Sequence, residues 1–198
     1  MSTKVAIIDS GGANIASLLY ALERIGKKAE LTRDAAVIRA ADKVILPGVG
    51  AARDAMQRLK DAQLIDVIRA LTQPVLGICL GMQLLAEASE EEDVDCLGII
   101  PGTVRKLHAN AEHPVPNMGW CKVSGLRESH LLDGISEHSY FYFVHSYALP
   151  VCEHTLATAV HTEPFTAISG RDNFLAAQFH PERSADAGSQ LLRNFLYN

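Results

Sequence analysis

Two hydrophobic periods alternate through the first half of the chain. Lys4 to Ile8 is a short apolar run closed by Asp9-Ser10-Gly11-Gly12, and Ile15, Leu18, Leu19, Leu22 and Ile25 then recur at helical spacing up to Gly26. The spacing predicts a strand, a tight turn and an amphipathic helix. The pattern repeats, with a strand at Lys28 to Leu31, a helix over Ala35 to Ala41 capped by Asp34, a buried strand at Val44-Ile45-Leu46, a helix over Ala51 to Lys60 and a strand at Pro74 to Ile78. Strands that alternate with helices imply crossover units. The expected fold is therefore α/β and doubly wound, with a mostly parallel central sheet, helices on both faces, and ligands at the carboxyl ends of the strands.

From Leu97 to Phe179 the texture becomes β-rich, with runs at Thr103 to Leu107, Trp120 to Val123, Ser139 to Tyr147, Thr155 to Val160, Phe165 to Ser169 and Phe174 to Phe179. These are expected as a mixed or antiparallel extension of the same sheet. Ala187, Leu191, Leu192, Phe195 and Leu196 share one face of a final helix that should pack back on it. The acidic run Glu90-Glu91-Glu92-Asp93 reads as a solvated loop. No repeat or linker interrupts the 198 residues, so one domain over 1-198 is expected.

Composition narrows the function classes. With 23 acidic against 18 basic residues the net charge is -5, which argues against nucleic acid as a partner. The apolar stretches Val75 to Leu80 and Leu97 to Ile100 fall far short of the roughly 18 residues of a membrane span. Val5 to Ile8, interrupted by Asp9, is too short for the core of a signal peptide, so a cytoplasmic location with reduced thiols is expected. Cys79, Cys96, Cys121 and Cys152 form no C-x-x-C pair and no zinc spacing, and the last three read as small buried hydrophobes. Neither a metal nor a cofactor is expected. Asp9-Ser10-Gly11-Gly12-Ala13-Asn14 lacks the glycine spacing of a dinucleotide fingerprint.

Cys79 stands apart. In Gly77-Ile78-Cys79-Leu80-Gly81 a buried strand runs directly into a helical pattern, the arrangement of a nucleophile elbow with cysteine in place of serine. The glycines permit the sharp turn, and the N-terminus of the following helix favours the thiolate. A base is offered by Gln178-Phe179-His180-Pro181-Glu182: proline holds His180 extended, and in an extended chain Glu182 projects to the same side as His180. That pairing would fix the imidazole tautomer, as the third member of a Cys-His-Glu triad does. Alone, His-Pro-Glu is a weak signal that reads more readily as a surface turn; beside a cysteine elbow it reads as chemistry. Oxyanion donors are expected from the Leu80 N–H and from the glycine-bearing Pro47-Gly48-Val49-Gly50, although that segment could also be an ordinary strand-to-helix turn. His145, a second histidine beside a β-run, has no acidic residue within two positions and is set aside as a base.

These segments resemble the class I, or triad, glutamine amidotransferases, which release ammonia from glutamine through a γ-glutamyl thioester. Within that family Asp9-x-Gly11-x-x-Asn14, Met118-Gly119-Trp120, Tyr142-Phe143-Val144-His145-Ser146-Tyr147 and His180-Pro-Glu-Arg183-Ser184 are similar to the amidotransferase subunits of imidazole glycerol phosphate synthases, in histidine biosynthesis. The resemblance implies a Cys79-His180-Glu182 triad, an oxyanion hole from Leu80 with Val49 and Gly50, and L-glutamine as substrate. It also implies a heterodimer with a (β/α)8-barrel cyclase that consumes the ammonia. Gln83 lies one turn past Cys79, where its amide would hold the α-carboxylate or α-amine end of glutamine, and the backbone of His145, Ser146 and Tyr147 would form the opposite wall. Asn14 and Arg183 resemble positions near the partner interface, and Trp120 either lines the ammonia exit or belongs to the core. The alternatives are a subunit serving another synthase, such as anthranilate or aminodeoxychorismate synthase, a partnerless cysteine hydrolase, and a redox-sensing module.

Overall fold

β1 (Val5–Ile8) is buried along its whole length, as a strand covered on both faces must be. This computed structural model describes residues 3–11 and 15–198. After β1 the chain forms α1 (Ile15–Arg24), β2 (Ala29–Thr32), α2 (Ala35–Ala40), β3 (Lys43–Gly48), α3 (Ala52–Asp61), α4 (Ile65–Arg69), β4 (Val75–Cys79) and α5 (Leu80–Leu85). Asp34 caps α2, its carboxylate accepting the N–H groups of Ala36 and Val37. There follow β5 (Ala86–Ser89), β6 (Val94–Asp95), β7 (Ile100–Lys106), β8 (Asn117–Ser124), β9 (Tyr140–His145), β10 (Tyr147–Ala148), β11 (Thr155–Val160), β12 (Pro164–Arg171), β13 (Phe174–Ala177) and α6 (Ala185–Tyr197).

Nine strands form the main sheet in the order β2-β1-β3-β4-β13-β12-β11-β8-β9. The first five are parallel and the last four join antiparallel, the mixed extension expected from the texture change. Side-chain alternation divides the core. Ile7, Ile45 and Leu76 face one layer with Leu22, Phe141, Phe179 and Phe195, whereas Ala6, Ile8, Val44 and Leu46 face the other with Ile38, Leu59, Ile68 and Leu84. Helices thus cover both faces of the parallel half, which is the doubly wound arrangement.

Some of the expected β-runs belong elsewhere. Thr103 to Leu107 does not extend the main sheet, because β7 lies in a separate four-stranded sheet of order β10-β7-β5-β6. The run Ser139 to Tyr147 is two strands: the chain leaves the main sheet after His145, passes Ser146, and enters the small sheet at Tyr147. This crossing puts the His145-Ser146-Tyr147 backbone between the two sheets. β5 and α4 were not expected at all. Ala86-Glu87-Ala88-Ser89 has little β propensity, and five residues are too few to show a helical period.

Candidate active site

β4 ends and α5 begins at the same residue. Cys79 is the last residue of the strand and the cap of the helix, with φ 54° and ψ -109°, a conformation that a non-glycine residue adopts only under constraint. Such a residue costs on the order of 1–3 kcal/mol and persists where its surroundings enforce it. The glycines supply the enforcement. A Cβ on Gly81 would lie 1.7 Å from the Leu46 carbonyl oxygen, and one on Gly77 would lie 2.9 Å from the Gly81 carbonyl oxygen. Helix, elbow and two strands therefore pack closer than any side chain allows. Cys79 is almost buried, and its thiol opens into a cavity of about 300 Å³ walled by Val49, Gly50, Leu80, Gln83, Glu91 and Val144 to Tyr147.

His180 follows β13, the strand beside β4, and also lines this cavity. Its Nδ1 lies 2.8 Å from Glu182 Oε1, with both side chains buried. The pairing expected from the sequence is present, by a different local geometry. His180 is extended, at φ -97° and ψ 98°, but Pro181–Arg183 form a single 3₁₀ turn that folds the carboxylate back onto the ring instead of projecting it along a strand. Ser184, fully buried, pins the turn: its hydroxyl donates to the His180 carbonyl at 2.7 Å and accepts the Tyr142 N–H at 2.9 Å. Among the described residues His180 Nε2 has no hydrogen-bond partner within ordinary reach, and it is the ring nitrogen left for Cys79. Burial works against charge on this ring, but Cys79 and Glu182 together outweigh it and lift the imidazole to about 10. The ring is protonated at neutral pH. It is thus set to donate a proton before it accepts one.

The Val49-Gly50 segment is brought beside Cys79 by strand register, because Gly48 of β3 pairs with Cys79 of β4. Two side chains fix its ends. Ser10 donates to the Pro47 carbonyl at 2.8 Å, and Glu91 Oε2 accepts the Ala52 N–H at 3.1 Å, taking the place of the absent side-chain cap of α3. Glu91 therefore departs from the expected solvated acidic loop: it is partly buried and lines the cavity. Its position inside an acidic run concealed it.

Gln83 and the His145 to Tyr147 backbone meet across the cavity, as expected, with a restriction. Gln83 Nε2 donates to the Tyr147 carbonyl at 2.8 Å and to Gln178 Oε1 at 3.1 Å, which uses both of its N–H groups and leaves only its oxygen for a ligand. Of the two ends offered by an amino acid, Gln83 is then suited to the ammonium and not to the carboxylate. The same carbonyl accepts from His145 Nδ1 at 2.9 Å, so Nε2 is the unprotonated nitrogen, and Asn117 donates to it at 3.0 Å. His145 is a fixed wall.

Burial pushes His145 down to about 4; its bond to the Tyr147 carbonyl resists the shift, and His161 and His180 add to it. Unfolded, the ring titrates near 6.5. The native state gains no proton there while the unfolded state does, so this contribution to stability is present above pH 6.5 and lost as pH falls toward about 4. The loss amounts to about 3 kcal/mol. Urea unfolding of wild type and His145→Gln across pH 7 to 4 checks this, with a steeper decline expected for wild type. Parallel declines would show that His145 accepts a proton in the folded state.

Trp120 is not a core residue. It is 52% exposed on β8, edge-on to Tyr142 at 6.1 Å, and the Arg183 guanidinium lies 4.6 Å over the other aromatic, Tyr142. Met118 is exposed beside it on the same strand. These residues form an outer patch and do not line the Cys79 cavity. Asn14 lies outside the described residues.

Residues 6–198 match the model of the family described as glutamine amidotransferase class-I. The chain is 54% identical over 194 residues to the imidazole glycerol phosphate synthase subunit HisH of Xanthomonas euvesicatoria pv. vesicatoria (strain 85-10), covering 98% of this chain and 97% of that one. It is 53% identical over 192 residues to the imidazole glycerol phosphate synthase subunit HisH 2 of Legionella pneumophila (strain Paris), covering 97% and 96%. Among solved structures it is similar to a glutamine amidotransferase, with a TM-score of 0.75 at 20% identity over 98% and 97% of the two chains. It is also similar to PurLQS from Thermotoga maritima, with a TM-score of 0.73 at 17% identity over 100% and 99%. At those identities the structures speak to the fold alone. The chain belongs to the class-I glutamine amidotransferase family.

Proposed function

We propose that this chain, as a single domain, is the glutaminase subunit of an imidazole glycerol phosphate synthase, working in the cytoplasm beside a (β/α)8-barrel cyclase. The observation that carries the chemistry is the strained Cys79 elbow and the His180–Glu182 pair opening into one small cavity. The choice of synthase is supported by the similarity to the HisH subunits over nearly the whole chain.

In this reading the Cys79 thiolate attacks the side-chain amide carbon of L-glutamine. The C–N π-conjugation is lost and the carbonyl oxygen becomes an oxyanion, which the N–H groups of Leu80 and of the Val49-Gly50 segment stabilise. One such donor contributes about 3 kcal/mol. His180, already protonated, gives its Nε2 proton to the departing nitrogen, the C–N bond breaks, and ammonia leaves a γ-glutamyl thioester. His180 then takes a proton from water as its oxygen attacks the thioester carbon, the C–S bond breaks, and glutamate departs with its carboxyl proton lost to solvent, leaving the thiolate and the protonated ring that began the cycle. Glu182 holds the tautomer and offsets the imidazolium charge. Gln83 Oε1 and the Glu91 carboxylate face the same cavity as acceptors for the substrate ammonium. Ser146, on the opposite wall, supplies backbone.

Met118, Trp120, Tyr142 and Arg183 fit the partner side of the molecule. Tyr142 lies two residues before Val144, whose carbonyl is 3.9 Å from the Cys79 sulfur, so β9 runs from this patch to a contact with the nucleophile. Gly50, at φ 94°, gives the oxyanion segment a hinge, and a peptide flip there would supply or withdraw a donor worth about 10²–10³ in rate. The isolated chain is therefore expected to hydrolyse glutamine poorly. The assay combines the chain, a purified barrel cyclase and its phosphoribulosyl-formimino ribonucleotide, and follows glutamate and imidazole glycerol phosphate. Glutamate release should rise by about 10² or more on complex formation. Equal turnover with and without the cyclase would refute the gating and favour a partnerless hydrolase.

A further inference from the structure

Gln178 has no role in the chemistry described above, yet it is fully buried and touches the nucleophile. Its carboxamide sits between two groups: Oε1 accepts from Gln83 Nε2 at 3.1 Å, and Nε2 is 3.9 Å from Cys79 Sγ, within range of an N–H···S bond. Its own backbone N–H is held by the Ala167 carbonyl at 2.9 Å, so the side chain leaves from a fixed point of the sheet.

The orientation of this amide is dictated from the far end of the network. The Tyr147 carbonyl is only an acceptor, so the Gln83 atom 2.8 Å from it must be nitrogen. That nitrogen in turn needs an acceptor in Gln178, which puts the Gln178 oxygen toward Gln83 and its NH₂ toward the sulfur. Rotating either amide by half a turn would set oxygen against oxygen or N–H against N–H in a buried site, where each unpaired group costs on the order of 1–3 kcal/mol.

On its other side the sulfur faces the Val144 carbonyl at 3.9 Å, which suits a thiol that donates S–H. Once that proton is gone the carbonyl opposes the sulfur charge and the Gln178 N–H attracts it. We propose that Gln178 is a positioning residue, whose locked carboxamide donates to the Cys79 thiolate while holding the Gln83 oxygen in the substrate cavity, so that one buried amide ties the nucleophile to the substrate wall. The inference rests on the glutaminase reading for its meaning in catalysis. Its contact with the thiolate is testable without glutamine.

The test measures iodoacetamide alkylation of Cys79 in the full chain as a function of pH, by mass spectrometry of the Cys79 peptide, for wild type, Gln178→Met and Gln178→Glu. Methionine keeps the volume and removes the donor; glutamate keeps the acceptor toward Gln83 and replaces the donor with a like charge. Both variants should alkylate about tenfold more slowly than wild type at neutral pH, and the difference should shrink as pH rises. A merely structural defect would scale the rate equally at all pH values. In the complex with the cyclase, kcat for glutamine should fall more than KM rises. Wild-type alkylation profiles in a folded Gln178→Met protein would overturn the proposal.

Should neither variant fold, the wild-type chain decides. The ¹⁵N resonance of the Gln178 side-chain amide should move as Cys79 titrates and lose that movement in Cys79→Ser; an amide indifferent to pH in both proteins overturns the proposal. A chain that shows the alkylation effect but hydrolyses no glutamine with any cyclase would sink the functional reading and leave the Gln178 contact standing.

Discussion

With Cys79 replaced by alanine, imidazole glycerol phosphate formation from glutamine should fall to background in the complex with the cyclase, and formation from ammonium salt should persist. Loss of a nucleophile of this kind costs on the order of 10⁶ in kcat. The fold should survive, because the substitution removes one sulfur atom whose contacts to Val144 and Gln178 are weak, at 3.9 Å, and whose pairing with His180 serves the site and not the packing, and the melting temperature should stay close to that of wild type. Rescue by ammonium should strengthen as pH rises, since neutral ammonia is the nucleophile and most of the salt is protonated at neutral pH. Wild-type complex supplied with glutamine should show less of this dependence, because ammonia passing directly between sites does not equilibrate with solvent. A glutamine-analogue electrophile should label Cys79 alone. Burial, aided by Asp95, pushes the Cys96 thiol up to about 11, and burial also raises Cys121 against the opposing bond to Asn117, so both resist alkylation. A Cys79→Ala complex that fails with ammonium at every pH, with the cyclase folded, would mean that this chain contributes more than ammonia.

What the sequence made legible follows from the range over which each signal acts. The parallel half of the fold could be read because each strand is buried on both faces and each helix carries a period, two local patterns that survive in one dimension. The elbow was legible for the same reason: Gly77, Cys79 and Gly81 are neighbours in the chain. Which sheet a strand joins is not local, and so Thr103 to Leu107 was placed in the wrong one. The network behind the nucleophile was hidden for a related reason. Gln83, Gln178 and the Tyr147 carbonyl are brought together from positions up to 95 residues apart, and no spacing rule links them. Gln178 nevertheless left one trace, since it stands two residues before His180 at the end of a β-run. Glu91 left none, because an acidic residue in an acidic run looks solvated until the fold sets a helix N-terminus against it. The outward Trp120 shows the opposite limit, in that a lone aromatic in a β-run gives no sign of which face it will take.

Gly81→Ala should yield no stably folded protein, a second loss as complete as the first but of a different kind. The added methyl would lie 1.7 Å from the Leu46 carbonyl oxygen and 2.7 Å from its carbon, and both belong to backbone in the middle of β3. A flexible side chain could swing away; this carbonyl is fixed by a strand laddered to β1 on one side and to β4 on the other. To restore ordinary contact, α5 would have to lift from the sheet by more than an ångström and take Cys79 and Gln83 with it. Overpacking by one methyl usually costs about 1–3 kcal/mol where neighbours can adjust. Here they cannot, and the cost should approach the roughly 5–15 kcal/mol that holds a whole domain together. The control is Gly98→Ala, where the backbone is left-handed at φ 64° but no atom of the described residues lies within 4 Å of the new methyl, so a loss of only about 1–2 kcal/mol is expected. Soluble yield, circular dichroism and thermal melts of both variants check the pair. Cys79→Ala should bind the cyclase without hydrolysing glutamine, whereas Gly81→Ala should do neither. A Gly81→Ala chain that melts like wild type would show that the elbow is not held by close approach of helix and strand, and the strained geometry of Cys79 would then need another cause.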